Sequence, residues 1–212
     1  MKGQDILLLI KLVSLDYSRE HNCDGLELNE IYYGWKRDNT EVLLKHNDIK
    51  LKENIEFEYR YTARGLAEEL GISKSEVSNI LARCTNVKLA KINRLTKKPE
   101  VNKKALIEFI THGLKYVFPA KPAEITRGIP TTFSAPVLQD KLLSAGQFQL
   151  VWPDSRGKEM GQAVEPIYKS VPFAVKEDPE LYSYLALIDA IRMGNVRESN
   201  LACKLLEERL AK

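Results

Sequence analysis

The chain has 212 residues with a formal net charge of +3, and 44% of its residues are hydrophobic and 29% charged. That balance is typical of a soluble globular protein. No run approaches the roughly 18 consecutive apolar residues of a membrane helix, and the apolar run at residues 6–13 lacks the features of a signal peptide, so we expect a cytoplasmic protein. Its three cysteines and three histidines are scattered, so we expect no disulfide framework, no metal site and no cofactor.

The positive charge is concentrated in one short segment. Residues 60–104 contain eleven Lys or Arg and four Asp or Glu, a net charge of +7. Residues 1–59 contain eight basic and twelve acidic residues, and residues 105–212 contain thirteen of each. Such localisation is expected of a protein that binds a polyanion.

The first predicted element is a helix at Gln4–Leu15. Because its apolar residues cover nearly all sides, we expect it to be buried, either in a core or against a second subunit. An acidic insertion, Asp16–Tyr59, follows and is rich in turn signals. Within it we predict a short helix over Leu26–Trp35 and a strand or ordered loop over Ile49–Tyr59.

Two short amphipathic helices are predicted next, over Thr62–Leu70 and from Ser73 to about Cys84. Thr62 suits the N-cap of the first helix, and Gly71 suits the left-handed position that ends it. Ser73, with a glutamate three residues later, forms a capping box at the start of the second helix.

A β-hairpin with a basic tip is predicted after these helices. Two potential strands, Val87–Asn93 and Pro99–Asn102, flank the tip Arg94–Lys98. Helical spacing returns at Asn102–Val117. The pattern thus predicts helix, turn, helix, hairpin and helix in succession.

The remaining chain divides into a proline-rich part and two helices. Phe118–Pro179 is interrupted by eight prolines but carries many large apolar residues, so we expect an extended segment that packs onto the folded body or onto a partner. Helices are predicted at Pro179–Met193, with Asp178 as its cap, and at Arg197–Leu210. The expected fold is mainly α with a small β-wing, in two domains, 1–118 and 119–212.

Residues 61–81 resemble the helix-turn-helix of bacterial winged-helix repressors, and the following hairpin resembles the wing of MarR-type regulators. Ala67 stands where the helices cross closely, Gly71 makes the turn, and Ile72, Val77 and Ile80 fill the space between them. Segments at 113–120, 126–131, 151–154 and 165–172 resemble uncharacterised bacterial winged-helix proteins. The insertion 16–59 departs from the family, whose connection here is usually short, and could be a dimerisation or partner element.

The resemblance implies a transcriptional regulator, most simply a repressor, that binds double-stranded DNA as a homodimer. The second helix would enter the major groove, with Asn79 suited to adenine and Lys74 or Arg83 to guanine or phosphate. Residues expected to contact DNA are Ser73, Lys74, Ser75, Ser78, Asn79 and Arg83 on this helix, and Lys91, Arg94, Lys97 and Lys98 on the hairpin. The first helix and the C-terminal helix pair are the candidate dimer interfaces.

Three other functions are compatible with the sequence. An antitoxin could bind a partner protein through residues 118–173 while it regulates its own gene. An enzyme could use Asp154–Gly157 or Tyr168 and Lys169, although no catalytic motif is present and a turn and a packed aromatic are the simpler interpretations. A ligand sensor could occupy the C-terminal half, although no ligand fingerprint is recognisable there.

Overall fold

The computed structural model describes residues 1–21, 57–139, 141 and 148–211. The fold is mainly helical with small β elements. The helices are α1 Gly3–His21, α2 Ala63–Leu70, α3 Lys74–Asn86, α4 Lys103–His112, α5 Leu114–Val117, α6 Pro136–Gln139, α7 Val171–Ala174, α8 Pro179–Met193 and α9 Val196–Ala211. The strands are β1 Ala90–Ile92, β2 Pro99–Val101, β3 Ile125–Pro130, β4 Leu150–Pro153 and β5 Glu159–Ala163.

Two predictions for the insertion fall wholly or largely on residues that the structure does not describe. The helix predicted over Leu26–Trp35 lies outside the described residues, as does most of the strand predicted over Ile49–Tyr59. Residues 57–60, at the end of that predicted strand, are helical. The prediction of a strand or an ordered loop is therefore wrong for residues 57–59.

Helix α1 lies at the centre of the hydrophobic core. Its apolar side chains from Ile6 to Leu15 are at most 1% exposed. The helix packs against α2, α3, α8 and β2. The prediction of a buried helix is confirmed, and the burial is within the chain's own core. The suggestion that α1 forms a dimer interface is wrong, because its apolar surface is already covered.

The two short helices α2 and α3 form as the capping residues predict. Thr62 Oγ1 accepts the Gly65 N–H at 3.1 Å. Gly71 adopts φ +63° at the end of α2, and its N–H bonds to the Ala67 carbonyl. Ser73 Oγ accepts the Glu76 N–H at 3.2 Å at the start of α3. Both helices and the turn between them are confirmed.

The predicted hairpin is also present. Strands β1 and β2 pair antiparallel, with Lys91 opposite Glu100. The turn between them is stabilised by the Asn93 side chain, whose Oδ1 accepts the N–H groups of Leu95 and Thr96 at 2.8 and 3.0 Å. Helix α4 then begins after Asn102, whose side chain caps it. The strands are shorter than the sequence pattern indicated.

The proline-rich segment contains a small sheet that the sequence did not predict. Strand β3 pairs antiparallel with both β4 and β5, and β4 pairs parallel with β5, so that each strand contacts the other two. Gly128 allows β3 to approach β4, because a Cβ there would lie 2.1 Å from the Trp152 carbonyl oxygen. The expected packing onto the body is present, but through strands and short helices.

Helix α8 is buried on all sides and is covered in part by α9. Its cap is confirmed, since Asp178 Oδ1 accepts the Leu181 N–H at 2.8 Å. Buried residues from α1, α2, α3 and α4 share one hydrophobic core with those from α8, α9 and the small sheet. The boundary predicted between residues 118 and 119 therefore separates two stretches of sequence that fold around the same core.

Candidate nucleic-acid interface

A buried ion pair fixes α3 against α1. Asp5 of α1 is fully buried, and Arg83 of α3 donates to its carboxylate, with Nη2 2.6 Å from Oδ1. Arg83 Nη2 also lies 2.9 Å from Glu76 Oε1, which accepts a further bond from Gln4. The hydrogen bond from Arg83 lowers the pKa of the Glu76 carboxyl. The face of α3 that carries Arg83 is thus attached to the body of the protein.

A second ionic cluster fixes α2. Lys11 Nζ of α1 donates to Asp178 Oδ2 at 2.7 Å and contacts the Glu69 carboxylate of α2. Arg60 binds Glu69 through two nitrogens, at 2.7 and 3.1 Å. Burial raises the pKa of Asp178, but Lys11 and the hydrogen bonds from Leu181 and Ser14 outweigh it, so the net pKa lies below its ordinary value. The orientation of α2 relative to α1 and α8 is set by these contacts.

Most of the residues expected to contact DNA are on the surface. On α3, five polar residues are exposed: Ser73, Lys74, Ser75, Ser78 and Asn79. They occupy the N-terminal half of the helix and the residue that caps it. On the hairpin, Lys91, Arg94 and Lys97 are exposed. The structure leaves these two groups accessible, next to each other in the chain and on adjoining elements.

Two of the expected residues are placed differently. Arg83 does not point outward, because it is the cation that faces the buried Asp5 carboxylate. Lys98 does not lie at the tip of the hairpin: its side chain is 15% exposed, its Nζ lies 2.5 Å from Glu58 Oε1, and it sits 4.9 Å from the centre of the Tyr61 ring. The prediction that these two side chains face outward is wrong, because Arg83 lies on the face of α3 that packs against α1, and Lys98, which precedes β2, contacts Glu58 and Tyr61.

Some basic side chains of the segment 60–104 form ion pairs with acidic side chains, and others do not. Its four glutamates are all paired with basic side chains. Six basic residues of the segment form no ion pair within the described parts of the chain: Lys74, Lys88, Arg94, Lys97, Lys103 and Lys104. Among the described residues, the positive charge without an ion-pair partner therefore lies on the start of α3, the hairpin and the start of α4.

Sequence reasoning did not place Lys88 and Lys103 in the site. Together with Lys91 they line a surface cavity of about 600 Å³ between the end of α3, the hairpin and the start of α4. Lys88 adopts φ +62° in the turn that leads into β1. Both lysines belong to the basic segment 60–104, but only the folded structure shows that they line the same cavity. A cavity with three lysines is suited to an anionic group.

The residues considered for catalysis have structural contacts. Asp154 Oδ1 accepts the Arg156 N–H at 2.7 Å within a turn, and its Oδ2 lies 2.6 Å from Lys176 Nζ. Tyr168 is partly buried against the core. In the described ranges, no three His, Cys, Asp or Glu side chains are grouped as metal ligands. None of the helices described is long and apolar enough to cross a membrane.

Comparisons with protein-family models, with curated proteins and with solved structures found no match for this chain. The resemblance of residues 61–81 to bacterial winged-helix repressors therefore remains a prediction. The local geometry of α2, α3 and the hairpin is the observation from which a function can be argued.

Proposed function

We propose that this protein is a sequence-specific DNA-binding regulator of transcription, acting in the cytoplasm through a winged helix-turn-helix formed by residues 61–104. The observation that carries the proposal is a set of six basic side chains on α3, the hairpin and α4 that form no ion pair with any residue that the structure describes. The exposed surface of α3 beside them is polar. A basic surface beside a polar helix is the arrangement that DNA recognition requires.

The two groups of exposed residues would have different roles. The N-terminal half of α3 would enter the major groove, where the Asn79 amide can bond to adenine and Lys74 to guanine or phosphate. Arg94 and Lys97 on the hairpin would contact the phosphate backbone, which positions the protein without reading the sequence. The cavity that Lys88 and Lys103 line would hold a further phosphate.

A homodimer would give the regulator two α3 helices for the two halves of a palindromic site. Of the helices predicted as interfaces, α1 and α8 are covered by the core, so α9 is the candidate among the described helices. It carries Leu201, Cys203 and Leu205, all partly exposed, and Val196 at 79% exposure. Light scattering at micromolar concentration would measure the oligomeric state directly, and a monomer would refute the dimer but not DNA binding.

The salt dependence of DNA binding tests the proposal. If the six unpaired cations contact phosphates, the logarithm of the binding constant falls with the logarithm of salt concentration with a slope of about −5, against about −10 for all eleven basic residues. Fluorescence anisotropy with a short labelled duplex measures this slope. The double variant Arg94→Ala and Lys97→Ala should make the slope shallower by about 2.

The double variant Lys121→Ala and Arg156→Ala is the matched control, because both cations are exposed, lie outside residues 60–104 and form no ion pair within the described parts of the chain. It should leave the slope unchanged. Selection from a randomised duplex library then tests sequence specificity, and Asn79→Ala should alter the selected sequence. A protein that selects no sequence, or whose slope is the same in the hairpin variant as in the control, would contradict the proposal.

The antitoxin alternative loses much of its motivation. It rested on the large apolar residues of 118–173, which were expected to cover a partner. Leu150, Val151 and Trp152 are at most 5% exposed and belong to the protein's own interior. The remaining exposed aromatic residues of that region are few among the residues described, so DNA binding is the function that the geometry favours.

A further inference from the structure

A second cavity lies in the C-terminal half, away from α3 and the hairpin. It has a volume of about 400 Å³ and is bounded by the small sheet, the turn at Thr132–Ser134 and the end of α8. Its lining is mostly apolar and includes Phe133, Leu150, Ala190 and Met193. The volume and the apolar lining are those of small-molecule binding sites.

Thr132 lines this cavity and has two unfavourable features. Its backbone adopts φ +56°, a conformation that is a rare outlier for a β-branched residue. It is 1% exposed, and its Oγ1 has no hydrogen-bond partner within the described parts of the chain. A buried hydroxyl without a partner loses its bonds to water and gains none. Strained residues of this kind persist mainly at functional sites, where surrounding structure holds them.

The surroundings do hold Thr132. The hydroxyl of its neighbour Thr131 lies 3.2 Å from Asp189 Oδ2 of α8. The same carboxylate accepts the Trp152 indole N–H at 2.5 Å and an Arg192 N–H at 2.5 Å. All these groups are buried. The backbone at Thr131 is therefore anchored to α8 and β4, which holds Thr132 in the wall of the cavity.

We propose that this cavity binds a small apolar molecule that carries a hydroxyl or carbonyl oxygen, and that Thr132 Oγ1 bonds to that oxygen. The apolar body would contact Phe133, Leu150 and Met193. A threonine hydroxyl both donates and accepts, so it suits either type of oxygen. The ligand supplies the hydrogen-bond partner that Thr132 Oγ1 lacks among the described residues. The proposal is independent of DNA binding and adds a ligand site to it.

Two related probes test the proposal on the full chain, 2-naphthol and naphthalene, which differ by one hydroxyl group. Titration followed by fluorescence should show one saturable site for 2-naphthol, with an affinity about five- to tenfold above that of naphthalene, the value of one hydrogen bond. In the variant Thr132→Val, which keeps the shape but lacks the hydroxyl, the two probes should bind equally well.

Folding is checked in the same experiment. Thr132→Val removes an unsatisfied buried hydroxyl, so its thermal unfolding temperature should rise or stay unchanged while 2-naphthol binding weakens. Thr111→Val is the matched control, because Thr111 Oγ1 is also buried, has no partner in the parts of the chain that the structure describes, and does not line the cavity. It should bind both probes as the unaltered protein does. Met193→Trp, which fills the cavity, should abolish binding.

Three results would overturn the proposal. The first is the absence of saturable 2-naphthol binding to the unaltered chain. The second is an advantage of 2-naphthol over naphthalene that survives in Thr132→Val. The third is unchanged binding by Met193→Trp, which would place the probe elsewhere on the protein.

Discussion

Replacing Arg83 by methionine removes the cation that faces Asp5 but keeps a side chain of similar length. Asp5 is fully buried and loses its only ion pair within the described residues, keeping one bond from the Lys2 N–H at 2.8 Å. Breaking a buried pair by removing one partner costs about 3–5 kcal/mol. Because the Arg83 side chain is 33% exposed, water can reach the vacated space, and we expect a loss of about 2–3 kcal/mol.

Urea denaturation followed by circular dichroism measures this change in the free energy of unfolding. Lys97→Met on the hairpin is the matched control, and its unfolding midpoint should not change, because Lys97 is exposed and without an ion pair among the described residues. The double variant Asp5→Asn and Arg83→Met should recover part of the lost stability, since it leaves no uncompensated buried charge.

DNA affinity separates the two roles of these basic residues. Under conditions in which both variants are folded, Lys97→Met should weaken binding and reduce the salt slope, whereas Arg83→Met should leave the slope nearly unchanged. The reasoning is refuted if Arg83→Met is as stable as the unaltered protein and loses a DNA contact. That result would mean that Arg83 faces the groove, as the sequence pattern alone suggested.

Two further stability predictions follow from single contacts. The pKa of Asp178 is lowered in the folded state, so the ionised carboxylate contributes fully to the free energy of unfolding above the ordinary Asp pKa of about 4. This contribution is lost as the pH falls below that value, and the urea midpoint should drop over the same pH range. In Asp178→Asn the drop should be smaller. Gly71→Ala should cost about 1–2 kcal/mol in the same assay, because alanine is strained at φ +63°. Its Cβ would also lie 3.1 Å from the Phe173 ring, and unchanged stability would contradict the left-handed turn.

The elements that the sequence predicts well are those determined by neighbouring residues. The caps at Thr62, Ser73 and Asp178 each bond to an amide three residues ahead, so a short stretch of sequence contains both partners. The hairpin between β1 and β2 is local in the same way. Local chemistry is visible in a single sequence because it needs no knowledge of the fold.

The features that the sequence did not predict depend on distant residues. Arg83 meets Asp5 across 78 positions, and Trp152 meets Asp189 across 37. The strands β3, β4 and β5 are short, and two of them end at prolines, so their apolar residues resemble those of an extended segment. Nothing in the sequence around Thr132 predicts its positive φ or a hydroxyl that has no partner among the described residues. The second cavity brings together residues from Ala120 to Glu198 that are far apart in the sequence, so only the folded structure identifies its lining.

Two buried charged residues of α1, Asp5 and Lys11, explain how a helix that is apolar on nearly all sides between Ile6 and Leu15 can take one position. Asp5 and Lys11 are six residues apart, so they point about 120° apart around the helix axis. Asp5 binds Arg83 of α3, and Lys11 binds Glu69 of α2 and Asp178 next to α8. An apolar surface alone would pack against these neighbours at several rotations. Two buried charges with different partners permit one rotation, and that rotation sets the positions of α2 and α3 together. A change at either charge should therefore alter the presentation of α3 as well as the stability of the fold.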